Sequence, residues 1–185
     1  MSGIREGYGR PHSALGPLLQ GHQPVVVEDA LWGTLPLVIS TYVGTPELPA
    51  DLVVSVRCIV TVGEQVLICE EPDGRVMIVP GGRLEPGETW QEAAVREVHE
   101  ETGWELDVAS LRMIGFLHLR GLVELPETHP YPHPDFLQIV VTGTASGSPE
   151  GWVDDEGAIT RSWLADRVVV EGLIGPGEAA LLARV

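Results

Sequence analysis

The chain reads as an α/β or α+β sandwich, and three observations predict it. Short apolar runs bounded by glycine, proline and aspartate recur along the sequence, as strands do. One window, residues 90–102, instead has helical spacing with start and stop signals at its ends. The 185 residues, 44% hydrophobic and 21% charged, suffice for one domain with a full core and no disulfide or metal staple.

Residues 1–24 hold Gly, Pro and His without periodicity and read as a flexible arm. Residues 25–28 and 35–43 read as strands about a turn at Trp32-Gly33, and 44–51 as a connection. Residues 25–50 are therefore an extra β-rich segment at the start of a single domain spanning 25–185. Strands at 52–62 and 65–71 meet at Gly63-Glu64, where a glycine in first position fits a type II′ turn. That register sets Val60 against Leu67 and Cys58 against Cys69, two small buried thiols expected to stay reduced. A short strand at 75–79 stops at Pro80-Gly81-Gly82. In the helix that follows, Thr89 and Glu92 form a capping box and Gly103 is the stop. Strands follow at 111–119 and 136–145, separated by four prolines between Pro126 and Pro134 that exclude a helix or central strand. Residues 162–167 and 178–184 read as short helices.

Composition narrows the function. The net charge is −16, from 11 basic and 27 acidic residues, which opposes unaided binding to DNA or an anionic membrane. No apolar run approaches the roughly 18 residues that span a bilayer, and MSGIREGYGR lacks the apolar core of a secretory signal. A cytoplasmic location is expected. Every basic residue is arginine, so lysine-based Schiff-base and P-loop chemistries are excluded. Any phosphate clamp must use arginine, histidine or backbone N–H groups.

The helix carries an electrostatic anomaly. Glu97, Glu100 and Glu101 share one face with Trp90, Ala93 and Ala94, near a C-terminus whose dipole is itself negative. By helical spacing Arg96 serves Glu92 and Glu100, and no cation at i±4 serves Glu97 or Glu101. Either this is a solvated charged face, or a divalent cation is the missing partner. All-oxygen ligation then favours Mg²⁺ or Mn²⁺ over zinc.

From Gly82 the chain reads G-RLEPG-E-TWQEAAV-R-E-V-H-E-E-T-G-W, ending at Trp104. This resembles the Nudix box, with seven fixed residues matched and only Trp104 departing from an aliphatic position. Chance supplies such a match in fewer than roughly one window in ten million. The Pro80-Gly81-Gly82 entry and the later Glu156…Trp163 also look like the family, whereas residues 1–50 do not.

The resemblance implies a Nudix-type α/β/α sandwich on a mixed β-sheet, and hydrolysis of the pyrophosphate bond of a nucleoside diphosphate linked to another moiety. It implies Mg²⁺ or Mn²⁺ held by Glu97, Glu100, Glu101 and the Gly81 carbonyl. Glu88 would support the site and Arg96 would orient the glutamates. The general base would be Glu97 or an acid among Asp154, Asp155 and Glu156, with Glu156 the candidate nearest the later tryptophan. Expected substrate contacts are Arg57, Arg83, His133 and Tyr131, the last two on the proline-rich loop. Signatures of particular subfamilies are missing: Leu119 stands where ADP-ribose hydrolases have proline, and Gly121 where diadenosine polyphosphate hydrolases have tyrosine. The expected partner is a small nucleotide derivative, and the apolar strands of 25–43 suit a homodimer. Two alternatives stay open: a non-catalytic nucleotide-sensing module, and an RNA-end pyrophosphohydrolase.

Overall fold

A computed structural model describes residues 9–32, 34–126, 129–147, 149, 151–154 and 157–185. Among them lie helices α1 (Leu15–Gln20), α2 (Trp90–Thr102), α3 (Arg167–Glu171) and α4 (Pro176–Leu182). The strands are β1 (Val26–Trp32), β2 (Leu35–Val43), β3 (Val53–Val62), β4 (Gln65–Glu70), β5 (Val76–Met77), β6 (Glu105–Leu106), β7 (Arg112–Gly121), β8 (Asp135–Ser146) and β9 (Arg161–Asp166). The chain divides into two compact units, residues 1–54 with 115–138 and residues 55–114 with 139–185. It passes between them within β3, β7 and β8.

In the first unit β2 pairs antiparallel with β1, from Val26↔Thr41 to Trp32↔Leu35, and with β7, from Leu37↔Gly121 to Val43↔Gly115. Both strands expected in this segment form, and β1 runs beyond its expected end, up to Gly33, which lies outside the described residues. Leu37, Leu119 and Phe136 form the core here, flanked by Leu35, Ile39, Val54, Leu117 and Tyr131. The segment read as an arm contains α1, with Leu15 and Leu18 buried. Two hydrogen bonds tie it down: His12 N–H donates to Asp135 (2.9 Å) and Arg120 Nη2 donates to Gly9 O (2.9 Å). Asp135 is buried and also accepts from Arg120 Nη1 and pairs with His118 Nε2, each at 2.8 Å. Burial works to raise its pKa, but the hydrogen bonds from His118, His12 N–H and Arg120 outweigh it and hold the carboxyl below its ordinary range.

In the second unit the Gly63-Glu64 turn forms as expected, with Gly63 at φ 60 and the pairs Thr61↔Val66 and Val62↔Gln65. The hairpin then opens. Cys69 lies opposite Met77 of β5, while Cys58 N–H donates to Pro80 O (2.9 Å), so the two cysteines do not face each other. The segment leading into Pro80-Gly81-Gly82 takes the pairing that a longer hairpin would have used. Both thiols are free and buried, and desolvation pushes Cys58 up to about 12. Residues 161–166 form strand β9 rather than the expected helix, with all six residues paired to β4, from Gln65↔Asp166 to Glu70↔Arg161. Six residues of weak helical preference cannot compete with a complete ladder along an open strand. In α4, Pro176 starts the helix and Glu178 reaches Ile78 N–H (3.0 Å), fixing the strand end before the glycine pair.

Candidate active site

Helix α2 spans Trp90–Thr102, as its punctuation predicts. Thr89 accepts from Glu92 N–H, Glu92 accepts from Thr89 N–H (2.8 Å), and Gly103 follows in the left-handed conformation at φ 72. Ala93, Ala94, Val98 and Thr102 are buried, which sets the rotation of the helix. That rotation leaves Glu97 and Glu101 half-buried on one flank.

Arg96 organises this flank. Its Nε and Nη2 donate to the two oxygens of Glu88 (2.9 and 3.0 Å), and Nη1 donates to Glu97 (2.8 Å) and Glu100 (3.0 Å). Nη2 also donates to Arg83 O (2.9 Å). Helical spacing therefore mispairs this arginine. It does not serve Glu92, which is consumed by the cap, and it does serve Glu97, its chain neighbour, because loop residue Glu88 draws the guanidinium across the helix. Arg96 hydrogen bonds hold Glu88 below the usual carboxylate range. Burial raises Glu97 above it despite Arg96. The Glu97 side chain is 14% exposed and that of Glu100 50%, so Glu100 stands the more open to solvent.

The glycine pair faces these acids. Gly81 N–H donates to Glu101 Oε2 (2.8 Å), and Gly81 O accepts from Arg57 Nη1 (2.6 Å). Gly81 has φ 140, and a Cβ there would overlap Val56 O. A Cβ on Gly82 would overlap the Glu97 carboxylate, so the missing side chain is what lets backbone and acid approach. Burial pushes Glu101 up to about 7, against the Gly81 N–H and Arg57, which favour its ionised form. Asp154 adds to that rise; it is buried and accepts from Ile159 N–H (2.8 Å). Its loop is laid on the end of α2: Trp152 Nε1 donates to Glu100 O (3.2 Å), and its ring sits over Gly103 and 4.7 Å from His99. Asp155 and Glu156 lie outside the described residues.

The structure thus gathers Arg57, Gly81, Glu88, Arg96, Glu97, Glu100 and Glu101 around one end of α2, with Arg83 contributing its carbonyl. The exposed Arg83 guanidinium makes no hydrogen bond or ion pair among the described residues. Tyr131 and His133 belong to the first unit. Tyr131 stacks on Trp32 (5.2 Å) and Phe136 (5.3 Å), and His133 packs against Gly121, where burial lowers its pKa. Sequence reasoning did not find Trp152 or the Arg57 clasp on Gly81, since both are contacts between residues distant along the chain.

Among the described residues no three Asp, Glu, His or Cys side chains converge as they stand into a metal cage. Glu97 and Glu100 are turned to Arg96, and Glu101 to Gly81 N–H. The donor set nevertheless fits a hard dication. Its donors are carboxylate and carbonyl oxygens, and two of its acids are desolvated beyond what the arginines offset, which a divalent charge would reverse.

Comparison with known proteins agrees with this geometry. A family model described as NUDIX domain matches residues 51–183. A Bacillus subtilis (strain 168) protein provisionally named 8-oxo-dGTP diphosphatase is 49% identical over 41 residues, 22% of this chain and 28% of its own length. A Caenorhabditis elegans protein provisionally named nudix hydrolase 1 is 61% identical over 33 residues, 18% of this chain and 9% of its own length. These alignments therefore span under a third of either relative. Among solved structures, a point variant of the Bacillus subtilis pyrophosphohydrolase BsRppH superposes with a TM-score of 0.52 at 21% identity, covering 70% of this chain and 72% of that one. A NUDIX hydrolase from Nitrosomonas europaea gives 0.52 at 22% identity, covering 72% and 87%. Both share the α/β fold, and the family match covers most of the chain: this protein belongs to the NUDIX domain family, the family of the Nudix hydrolases.

Proposed function

We propose that the protein is a divalent-metal-dependent pyrophosphohydrolase that cleaves a nucleoside diphosphate linked to another moiety. The observation that carries this reading is the set of desolvated acids, Glu97 and Glu101, set against the Gly81-Gly82 backbone with Glu101 at about 7. Glu97, Glu100, Glu101 and Gly81 O are the proposed ligands of Mg²⁺ or Mn²⁺. When bound, the metal neutralises phosphate charge and acidifies its water. Arg96, anchored by Glu88, holds Glu97 and Glu100 in orientation. Proton removal falls to Glu97 or to an acid of the 154–156 loop. The buried Asp154 beside Glu101 favours that loop as a source of a further acid; Glu156 is the other candidate on it. Arg57 and Arg83 are the proposed phosphate contacts, and Tyr131 and His133 the proposed specificity contacts.

A non-catalytic sensing role is disfavoured by the complete set of box acids, and an RNA end by the charge of −16. Two further proposals accompany this reading: a cytoplasmic location, supported by two free buried thiols, and a homodimer using the 25–43 segment, where Val25, Val27 and Leu31 are exposed (48%, 53% and 72%). A monomeric mass by light scattering would remove the dimer. The enzymatic proposal is tested by a screen of nucleoside diphosphate derivatives and nucleoside triphosphates, 8-oxo-dGTP included, with Mg²⁺ or Mn²⁺ and a phosphate-release readout. No turnover on any of them, with intact fold and metal binding, would favour the sensing role.

A further inference from the structure

Arg57 occupies an unusual place. Its Nη1 donates to Gly81 O at 2.6 Å, the oxygen proposed above as a metal ligand. Its charge is opposed by burial and supported first by Glu101 and then by Glu97. Arg96 is already committed to Glu88, Glu97, Glu100 and Arg83 O, and among the described residues Arg57 is the cation set against Glu101. The position follows from the strand. Val56 N–H donates to Gly82 O and Cys58 N–H to Pro80 O, which lays this part of β3 along the glycine segment with Arg57 beside Gly81.

We propose that Arg57 is a built-in counter-cation that competes with the divalent metal. In the metal-free site it clasps Gly81 O and offsets Glu101 and Glu97; metal binding displaces it from that carbonyl and frees the guanidinium for a substrate phosphate. This inference rests on the proposed function. A metal about 2.1 Å from Gly81 O would stand within about 5 Å of a guanidinium nitrogen still bonded there, and like charges so close repel strongly. Ser55 lies two residues earlier on the same strand face, and its buried hydroxyl, without a hydrogen-bond partner among the described residues, is an unused acceptor on the guanidinium's side of the strand. Once free of Gly81, Arg57 presents the planar donors suited to phosphate.

The test needs no turnover. Melting temperature is titrated with MgCl2 and with MnCl2 for the parent protein and for Arg57→Lys, Arg57→Gln and Arg57→Met. Removing the charge should lower the metal concentration for half-maximal shift by about tenfold in Gln and Met, whereas Lys should stay within about threefold of the parent. Imidodiphosphate at saturating metal should then raise the parent and Lys melting temperatures further, and those of Gln and Met less. Should Met fail to fold, Gln, which keeps an N–H for Gly81 O, carries the comparison. Gln titrating at the parent concentration or above overturns the inference while leaving the metal site standing. Equal imidodiphosphate shifts in all four proteins overturn the phosphate half. A parent with no metal shift at all overturns the proposed metal dependence, and this inference with it.

Discussion

Replacing Glu101 by glutamine separates the cost of the acid cluster from its use. Burial raises the folded pKa of Glu101 to about 7, above its ordinary 4.5. The folded protein therefore holds this proton more tightly than the unfolded chain. The resulting stability is full below pH about 4.5 and is lost as pH rises through about 7. Above that, the ionised carboxylate sits where it is disfavoured, at a cost of about 3 kcal/mol. Glutamine has the same shape, no charge, and an oxygen that can still accept Gly81 N–H. In the absence of metal at pH 8, Glu101→Gln should melt roughly 6–12 °C above the parent, and at pH 5 the difference should shrink to a few degrees at most. Metal reverses the order. At a hundredfold excess over Kd the parent gains about 2.7 kcal/mol, or about 5–10 °C, while the variant gains little and hydrolysis largely disappears. Scanning calorimetry at the two pH values, with and without Mg²⁺ or Mn²⁺, reads all four quantities. A variant that melts with the parent at pH 8 would show that Glu101 is not a strained acid, and one that keeps the full metal shift and activity would show that it is not a ligand.

The two glycines give a paired prediction. Gly81→Ala meets backbone and a positive φ and should cost roughly 2–4 kcal/mol. Gly82→Ala meets the side-chain carboxylate of Glu97 rather than backbone and should cost less, about 1–2 kcal/mol, while abolishing most of the metal-induced shift; equal denaturation midpoints for the two variants would contradict this. Arg96→Gln removes the donors shared by Glu88, Glu97 and Glu100 and should destabilise by about 2–3 kcal/mol, with part recovered on adding Mg²⁺; a loss that metal does not touch would make Arg96 purely structural. His133→Ala should change KM more than the metal requirement, and unchanged kinetics on replacing His129, Tyr131 and His133 together would detach that loop from the reaction.

Structure was legible in the sequence wherever the physics that fixes it is local. Helix α2 was legible to its ends because capping box, buried alanines and Gly103 all act within a turn or two of each other. The Gly63-Glu64 turn was legible because one residue supplies the positive φ. Strand β9 was not, because nothing in RSWLAD announces that β4 offers six open pairing positions. Nor was the opening of the β3–β4 hairpin, since the segment that displaces Cys69 from Cys58 arrives from farther along the chain. Nor was helix α1, which buries Leu15 and Leu18 and follows His12, whose N–H donates to Asp135 more than a hundred residues away.

The acids followed the same division. Residue type and spacing alone put Glu97, Glu100 and Glu101 on one helix face and marked a cation as their missing partner, because helical periodicity fixes which side chains are neighbours. What each acid experiences was decided only by tertiary contact. Glu88, from the loop, pulls Arg96 across to Glu97; β3 sets Arg57 against Gly81; and the Trp152 loop brings Asp154 beside Glu101. Desolvation and Coulomb energy depend on distance through space rather than along the chain. The sequence therefore determined which charges would gather, and the fold determined that Glu88 is held low, Glu97 is raised and Glu101 is lifted to about 7.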